Sequence, residues 1–417
     1  MFPRYLIPLA LACALLTPLF GSHKDPVFQQ INSIVAELAK ISGLAEVHPV
    51  PYGRMTKPQL RKFLAKRIKK TLRPEEIRAD ETALKMFGLV PQDFDLKKST
   101  IDLLTEQAAA FYDYDKKKLF LLNESSFSDE IDTLAHELSH ALADQHFALE
   151  KFMDDNSEDD DANLARTAVV EGQASWLMFA YSLYRNHEPP PPSRQMLIDA
   201  FQGDAVDNSQ YPVLKASPIY IQQSLLFPYS QGTLFFDAVY RRDGKQSFSE
   251  VFTAPPADTM QVIHPDRYFA HQESTRPRLP VIPLNSGNRV QSEGSVGEFD
   301  HEMLLWEYFD EKEAKELSPH VLGGQYKIVN DSVGQRPVLL YSSEWDSPQT
   351  ARRYFAAYDH ILQSKWKSDS IEKSTGTLLA GHGDSGYYIV RLKGPVLTSI
   401  EGIGSESEWH GLERGQP

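Results

Sequence analysis

The segment His136-Glu137-Leu138-Ser139-His140 lies in a run whose apolar residues recur three and four apart: Ile131, Leu134, Ala135, Leu138, Ala141 and Leu142. That spacing predicts a long helix from about Ser128 to about Phe152, with Ser126 and Asp129 resembling a capping box at its start. On a helix, residues four apart stand one turn apart on one face, so the two imidazoles can reach a single ion. Glu137 lies about 100° round the axis, beside such an ion but outside its ligand set. Two neutral imidazoles and an adjacent carboxylate are what zinc-dependent hydrolysis asks of a helix: ligands, and a general base for the water that attacks. The blander reading is a helix whose histidines merely cap or pack.

A catalytic zinc site needs a third protein ligand and one open position. His146 stands at the spacing used by the zincins that take a third histidine, but Ala143 occupies the place of their turn-making glycine. Without a turn, His146 lies about 240° beyond His140, on another face. The alternative is Glu171, a lone acidic residue within the apolar run "LARTAVVEGQASWLMF" of a predicted helix Leu164–Tyr184. Its neighbours Gly172, Ala174 and Ser175 are small enough for two helices to approach closely. A buried carboxylate there would need a partner, and a metal is a good one.

The only cysteine, Cys13, falls within "MFPRYLIPLALACALLTPLFGSHKDP", where one Arg precedes a short apolar run. Residues 1–22 read as a secretory signal peptide, with an uncleaved anchor or a lipid anchor at Cys13 as alternatives. Removal of that leader leaves no thiol, so metal ligands must be His, Asp or Glu. A net charge of −14 argues against nucleic acid as a partner. No later segment is apolar enough to span a bilayer.

Elsewhere, "DPVFQQINSIVAELAKISGL" has helical spacing, and "TKPQLRKFLAKRIKK" reads as a basic helix capped by Thr56. Its charges suit a solvated face or an anionic membrane surface. Lys118–Leu122 reads as a strand, and its place just before the active helix suggests an edge on which an extended peptide could pair. "DDNSEDDDAN" reads as a solvated acidic connection rather than a calcium loop. Helices are expected around "IYIQQSLLF" and "GTLFFDAVYRR". A Gly, Ser and Asn rich stretch near Leu284–Gly297 suggests a boundary. The expected organisation is then a domain over 23–285, including an N-terminal helical region, and an α+β domain over 298–417. In the latter, helices are expected at "HEMLLWEYF" and after Pro348, and strands at "QYKIVN", "PVLLYSS", "GYYIVRLKG" and "VLTSIEGI".

"LAHELSHALADQHF" followed by "ARTAVVEGQAS" resembles a family of bacterial secreted zinc metallopeptidases of gluzincin type, defined largely by this motif. "AFYDYDKKKLFLL", "LLFPYSQGTLFF" and "PPADTMQVIHPDRYF" resemble further blocks of that family, so the likeness spans roughly Leu84 to Phe269. The resemblance implies His136, His140 and Glu171 as ligands of one Zn2+ and Glu137 as the catalytic base. Gln173 stands where the family often has Asp. Supporting positions are Asp144, which could orient a ligand histidine, and Tyr112, Tyr229 and His264, candidate donors to the oxyanion of a peptide substrate. Each of these also has an ordinary structural reading.

The expectation is therefore an α+β, mainly helical chain with a zincin-like domain, secreted or periplasmic, that hydrolyses peptides or proteins. The rivals are another zinc-assisted hydrolysis and a non-catalytic accessory or binding protein with a closed structural zinc site. An intact Glu137 favours the enzyme, since a closed site has no use for a base.

Overall fold

The computed structural model describes residues 27–122, 127–154, 159–201, 211–282, 289–330 and 336–415. The leader, Cys13, Ser126 of the expected capping box and residues 284–288 of the expected 284–297 boundary stretch lie outside them. The fold is α+β with two sheets. Among the described residues no helix is long and apolar enough to cross a membrane.

The first sheet has three strands: β1 (Tyr52–Met55), β2 (Ala110–Asp113) and β3 (Lys118–Leu122). Their order is β1-β3-β2, with β3 parallel to β1 and antiparallel to β2. The strand expected at an edge, Lys118–Leu122, is therefore the central one. The Pro-broken segment before it in the chain supplies β1 and covers its outer side. The edge strand next to the motif helix is β2.

Seven helices frame the rest of the argument: α1 (Ile31–Ser42), α2 (Pro74–Phe87), α3 (Phe127–Phe147), α4 (Asp160–Arg185), α5 (Ile219–Asp243), α6 (Glu298–Tyr308) and α7 (Pro348–Lys365). The motif helix α3 ends earlier than its apolar spacing suggests. Ala148 adopts a left-handed backbone, φ 50°, before a short helix Leu149–Met153. The Asp144 carboxylate accepts the Leu149 N–H at 3.0 Å and so caps the new turn. The two helices expected around Pro228 are instead one, α5, which runs through that proline. Packing on the long α4 keeps the helix continuous at a residue that local preference would use to end it.

α4 lies in the middle of the helical layer, between α3, α1 and α5. It starts four residues earlier than Leu164, with Asp159 accepting the Ala162 N–H as N-cap. Asp160 and Asp161 are buried, which corrects the expectation of a solvated acidic connection there. Asp161 accepts the N–H and the hydroxyl of Thr259, and Tyr326 donates to Asp160. The basic helix Lys57–Thr71 does carry the Thr56 cap, and its Lys62, Lys66 and Lys69 are exposed.

The second sheet is antiparallel throughout, in the order β4-β5-β6-β10-β9-β8-β7. Its strands are β4 (Arg289–Ser295), β5 (Val321–Asn330), β6 (Pro337–Trp345), β7 (Asp369–Ser374), β8 (Leu378–Gly383), β9 (Gly386–Lys393) and β10 (Val396–Ile403). α7, with Ser347 as N-cap and Pro348 in its first turn, packs on one face. One apolar core runs continuously from the helical layer to this sheet. At the junction, Phe87 at the end of α2 meets Tyr326 and Tyr341 edge-on. Gly88, φ 80°, then turns the chain where a side chain would collide with the Tyr308 hydroxyl. That hydroxyl donates to Gly88 O, and Lys365 Nζ donates to Met86 O, both at 2.8 Å.

Candidate metal centre

α3 presents His136 and His140 one turn apart, toward Glu171 of α4. The Nε2 atoms of the two histidines are 3.0 Å apart, and Glu171 Oε2 lies 3.1 Å from one and 3.3 Å from the other. All three residues are buried, and together they could hold a metal ion. Among the described residues no other group of three or more His, Cys, Asp or Glu side chains converges in this way.

The helix crossing explains the position of Glu171. A Cβ on Gly172 would stand 2.1 Å from the carbonyl carbon of Gly232 in α5, and one on Gly232 would stand 2.2 Å from Ala168 O. Two glycines thus let the backbones of α4 and α5 nearly touch. Glu171, about 100° round α4 from that contact, faces α3. Tyr229, one turn before Gly232, is brought over the cluster, where its ring stacks on His136 at 5.9 Å between centroids. Burial and the charges of Glu171 and Glu137 push its phenol well above the ordinary value.

Burial alone would raise the Glu171 carboxyl, but the pull of His140 and His136 outweighs it and brings it down to about 2. Glu137 behaves oppositely. Burial, reinforced by the charge of Glu171, raises its carboxyl to about 7 against the pull of His136 and of the Tyr112 backbone N–H. The centre therefore pairs an ionised donor with a neighbouring carboxyl poised near neutrality.

No protein-family model, curated protein or solved structure matches this chain. The chemistry of the centre therefore rests on its residues.

The supporting positions fall into two groups. Tyr112 and Asp144 bind each other, hydroxyl to Oδ2 at 3.0 Å, and Asp144 Oδ1 accepts from Lys117 at 2.9 Å and from the Leu149 N–H. Asp144 thus ties α3 to the β2–β3 hairpin rather than orienting a histidine, and Tyr112 reaches the centre through its backbone N–H. His264 is not brought to the cluster. Its Nε2 pairs with Glu298 Oε1 at 2.8 Å, joining the helical layer to α6. His146 faces away as well, its Nε2 2.8 Å from Ala45 O. Gln173 is fully buried with both amide atoms unpartnered, about 200° round α4 from Glu171.

Tyr114 is a neighbour that sequence reasoning missed. Its ring meets His140 edge-on at 6.5 Å and Tyr112 at 5.5 Å. The signal was there: Tyr112 and Tyr114 are two apart at the end of a strand, so they lean to the same side.

Proposed function

We propose that the chain is a secreted zinc metallopeptidase of gluzincin type, with a zincin-like domain over 23–285 and an α+β domain over 298–417. The observation that carries this reading is the pairing of three donors, His136, His140 and Glu171, with a second carboxylate, Glu137, held beside them. Donor atoms about 2.0–2.1 Å from a tetrahedral zinc stand roughly 3.3–3.4 Å apart, close to the 3.0, 3.1 and 3.3 Å seen here. Glu171 Oε1 and His140 Nδ1, buried and unpartnered, fit a donor set built for an ion rather than for itself. When bound, zinc supplies Lewis acidity toward a carbonyl oxygen and acidifies water.

The chain's own residues would do the rest. His136, His140 and Glu171 would hold the ion. Glu137, fixed by the Tyr112 N–H, would take a proton from the attacking water and pass it to the leaving amine. A dication nearby would draw its carboxyl below about 7, leaving it ionised and basic. Tyr229, over His136, would donate to the oxyanion. The leader-like residues 1–22 support export to the periplasm or beyond. A second reading, a non-catalytic zinc site, draws support from how deeply His140 and Glu171 are buried, each 1% exposed.

Zinc content and casein or mixed-peptide hydrolysis, measured on the wild type and Glu137→Gln, separate the two. The peptidase reading expects one zinc in both proteins and a loss of roughly 10²–10⁴ in rate for the variant, the usual worth of a general base. A zinc-loaded wild type inert toward a broad peptide library would overturn it.

A further inference from the structure

Tyr114 sits in the turn that leaves β2, 3% exposed, and its hydroxyl has no hydrogen-bond partner. A fully buried, unpaired O–H is rare because it forfeits its hydrogen bonds to water without replacement. Its ring meets His140 edge-on at 6.5 Å, which sets it against the cluster. Glu171 has a matching deficiency. Its Oε2 faces both histidines, while its Oε1 is buried and unpartnered. The hydroxyl of Tyr112, on β2 itself, is committed to Asp144.

We propose that Tyr114 is a positioning residue of the metal centre: with a divalent cation held by His136, His140 and Glu171, its hydroxyl donates to Glu171 Oε1, directly or across one ordered water. This rests on the reading of the cluster as a metal centre. The hydroxyl would confine Glu171 to ligation through Oε2 and hold its carboxylate plane, as outer partners of metal ligands commonly do. The edge contact with His140 keeps the ring in place whether or not an ion is bound, so the donor is preset.

The test uses the full chain as wild type, Tyr114→Phe and Tyr229→Phe. Zn2+ affinity is measured by competition with a chromogenic chelator, the visible spectrum is recorded with Co2+, and thermal unfolding is followed without metal. Phe keeps the ring, so the fold is retained. Tyr114→Phe is expected to bind Zn2+ roughly 10–100-fold more weakly, with shifted Co2+ bands, while its metal-free stability is unchanged or higher because an unpaired hydroxyl has gone. Unchanged affinity and spectrum for Tyr114→Phe, in a wild type that binds Zn2+, would overturn the role of Tyr114 and leave the metal centre standing. So would a loss seen only in Tyr229→Phe, or one matched by lost metal-free stability. A wild type that binds no Zn2+ would overturn both.

Discussion

Replacing Gly172 by alanine tests whether the glycine crossing of α4 and α5 positions the third donor. In an isolated helix the change favours folding by about 1 kcal/mol, since glycine is the poorer helix former. In this fold the new methyl carbon would stand 2.1 Å from the Gly232 carbonyl carbon, 2.2 Å from its oxygen and 2.7 Å from its Cα. Carbon contacts settle near 3.5 Å or beyond, so the helices would have to part by roughly 1.4 Å. The obstructing atoms are backbone, and no side-chain rotation relieves them. Overpacking of this kind costs about 1–3 kcal/mol and occasionally more, which outweighs the helix gain. At about 2–4 °C per kcal/mol, the net loss should lower Tm by a few degrees. The local effect should be larger. Glu171 is the preceding residue, and functional geometries tolerate displacements of about 0.5 Å. Zn2+ affinity should therefore fall at least about tenfold, measured by chelator competition beside a thermal melt. A variant as stable as the wild type, with undiminished Zn2+ affinity, would refute the claim that this crossing sets the centre.

Three further predictions concern the frame around it. Buried His301 donates from Nδ1 to Gly297 O at 2.7 Å, and its Nε2 lies 2.8 Å from the Tyr341 hydroxyl; burial above all disfavours a charged ring and lowers its pKa to about 4. The unfolded chain takes up that proton near pH 6.5 and the folded one does not, so roughly 3 kcal/mol of stability present above pH 6.5 is lost as pH falls to about 4. Urea titrations should show a shallower acid decline in His301→Gln, and identical slopes would refute the assignment. Asp161 is shifted the other way, well above its ordinary value, by burial and then by Asp258 and Asp300. The stability it contributes in acid fades as pH rises, so Asp161→Asn should gain in Tm over the wild type toward pH 8 and lose that advantage toward pH 4; a deficit constant with pH would count against this. Finally, Lys365 and Glu401 form a buried pair at 2.6 Å, and Lys365→Met should cost about 3–5 kcal/mol in a urea melt by stranding the carboxylate, whereas a loss under 1 kcal/mol would show that Tyr358 and Ser399 suffice as its partners.

Within the centre, what could be read in advance was local. The placement of His136, Glu137 and His140 follows from helical periodicity over five residues, and the burial of Glu171 follows from its apolar and small neighbours. The exclusion of His146 needed only the unbroken helix between it and His140, and that helix does continue to Phe147. Thr56 and Pro348 mark their helix starts because a cap and a first-turn proline are each accommodated within a single turn.

Other features depended on distant contacts. Lys118–Leu122 became a central strand because Tyr52–Met55, more than sixty residues earlier, pairs with it. α5 runs through Pro228 because packing along α4 outweighs one lost hydrogen bond. Asp160 and Asp161 are buried because Thr259 and Tyr326 supply donors from elements about a hundred residues or more away. Asp144 turned from a candidate partner of histidine into a clamp on Tyr112, Lys117 and Leu149. Gly232 entered the centre only through the crossing of α4 and α5. By itself, then, the sequence determined that His136 and His140 share one helix face with Glu137 beside them, since their spacing along one helix is a property of the backbone. The tertiary structure decided how far apart those donors stand, which carboxylate meets them and which hydroxyls surround them, because these depend on where one helix crosses another.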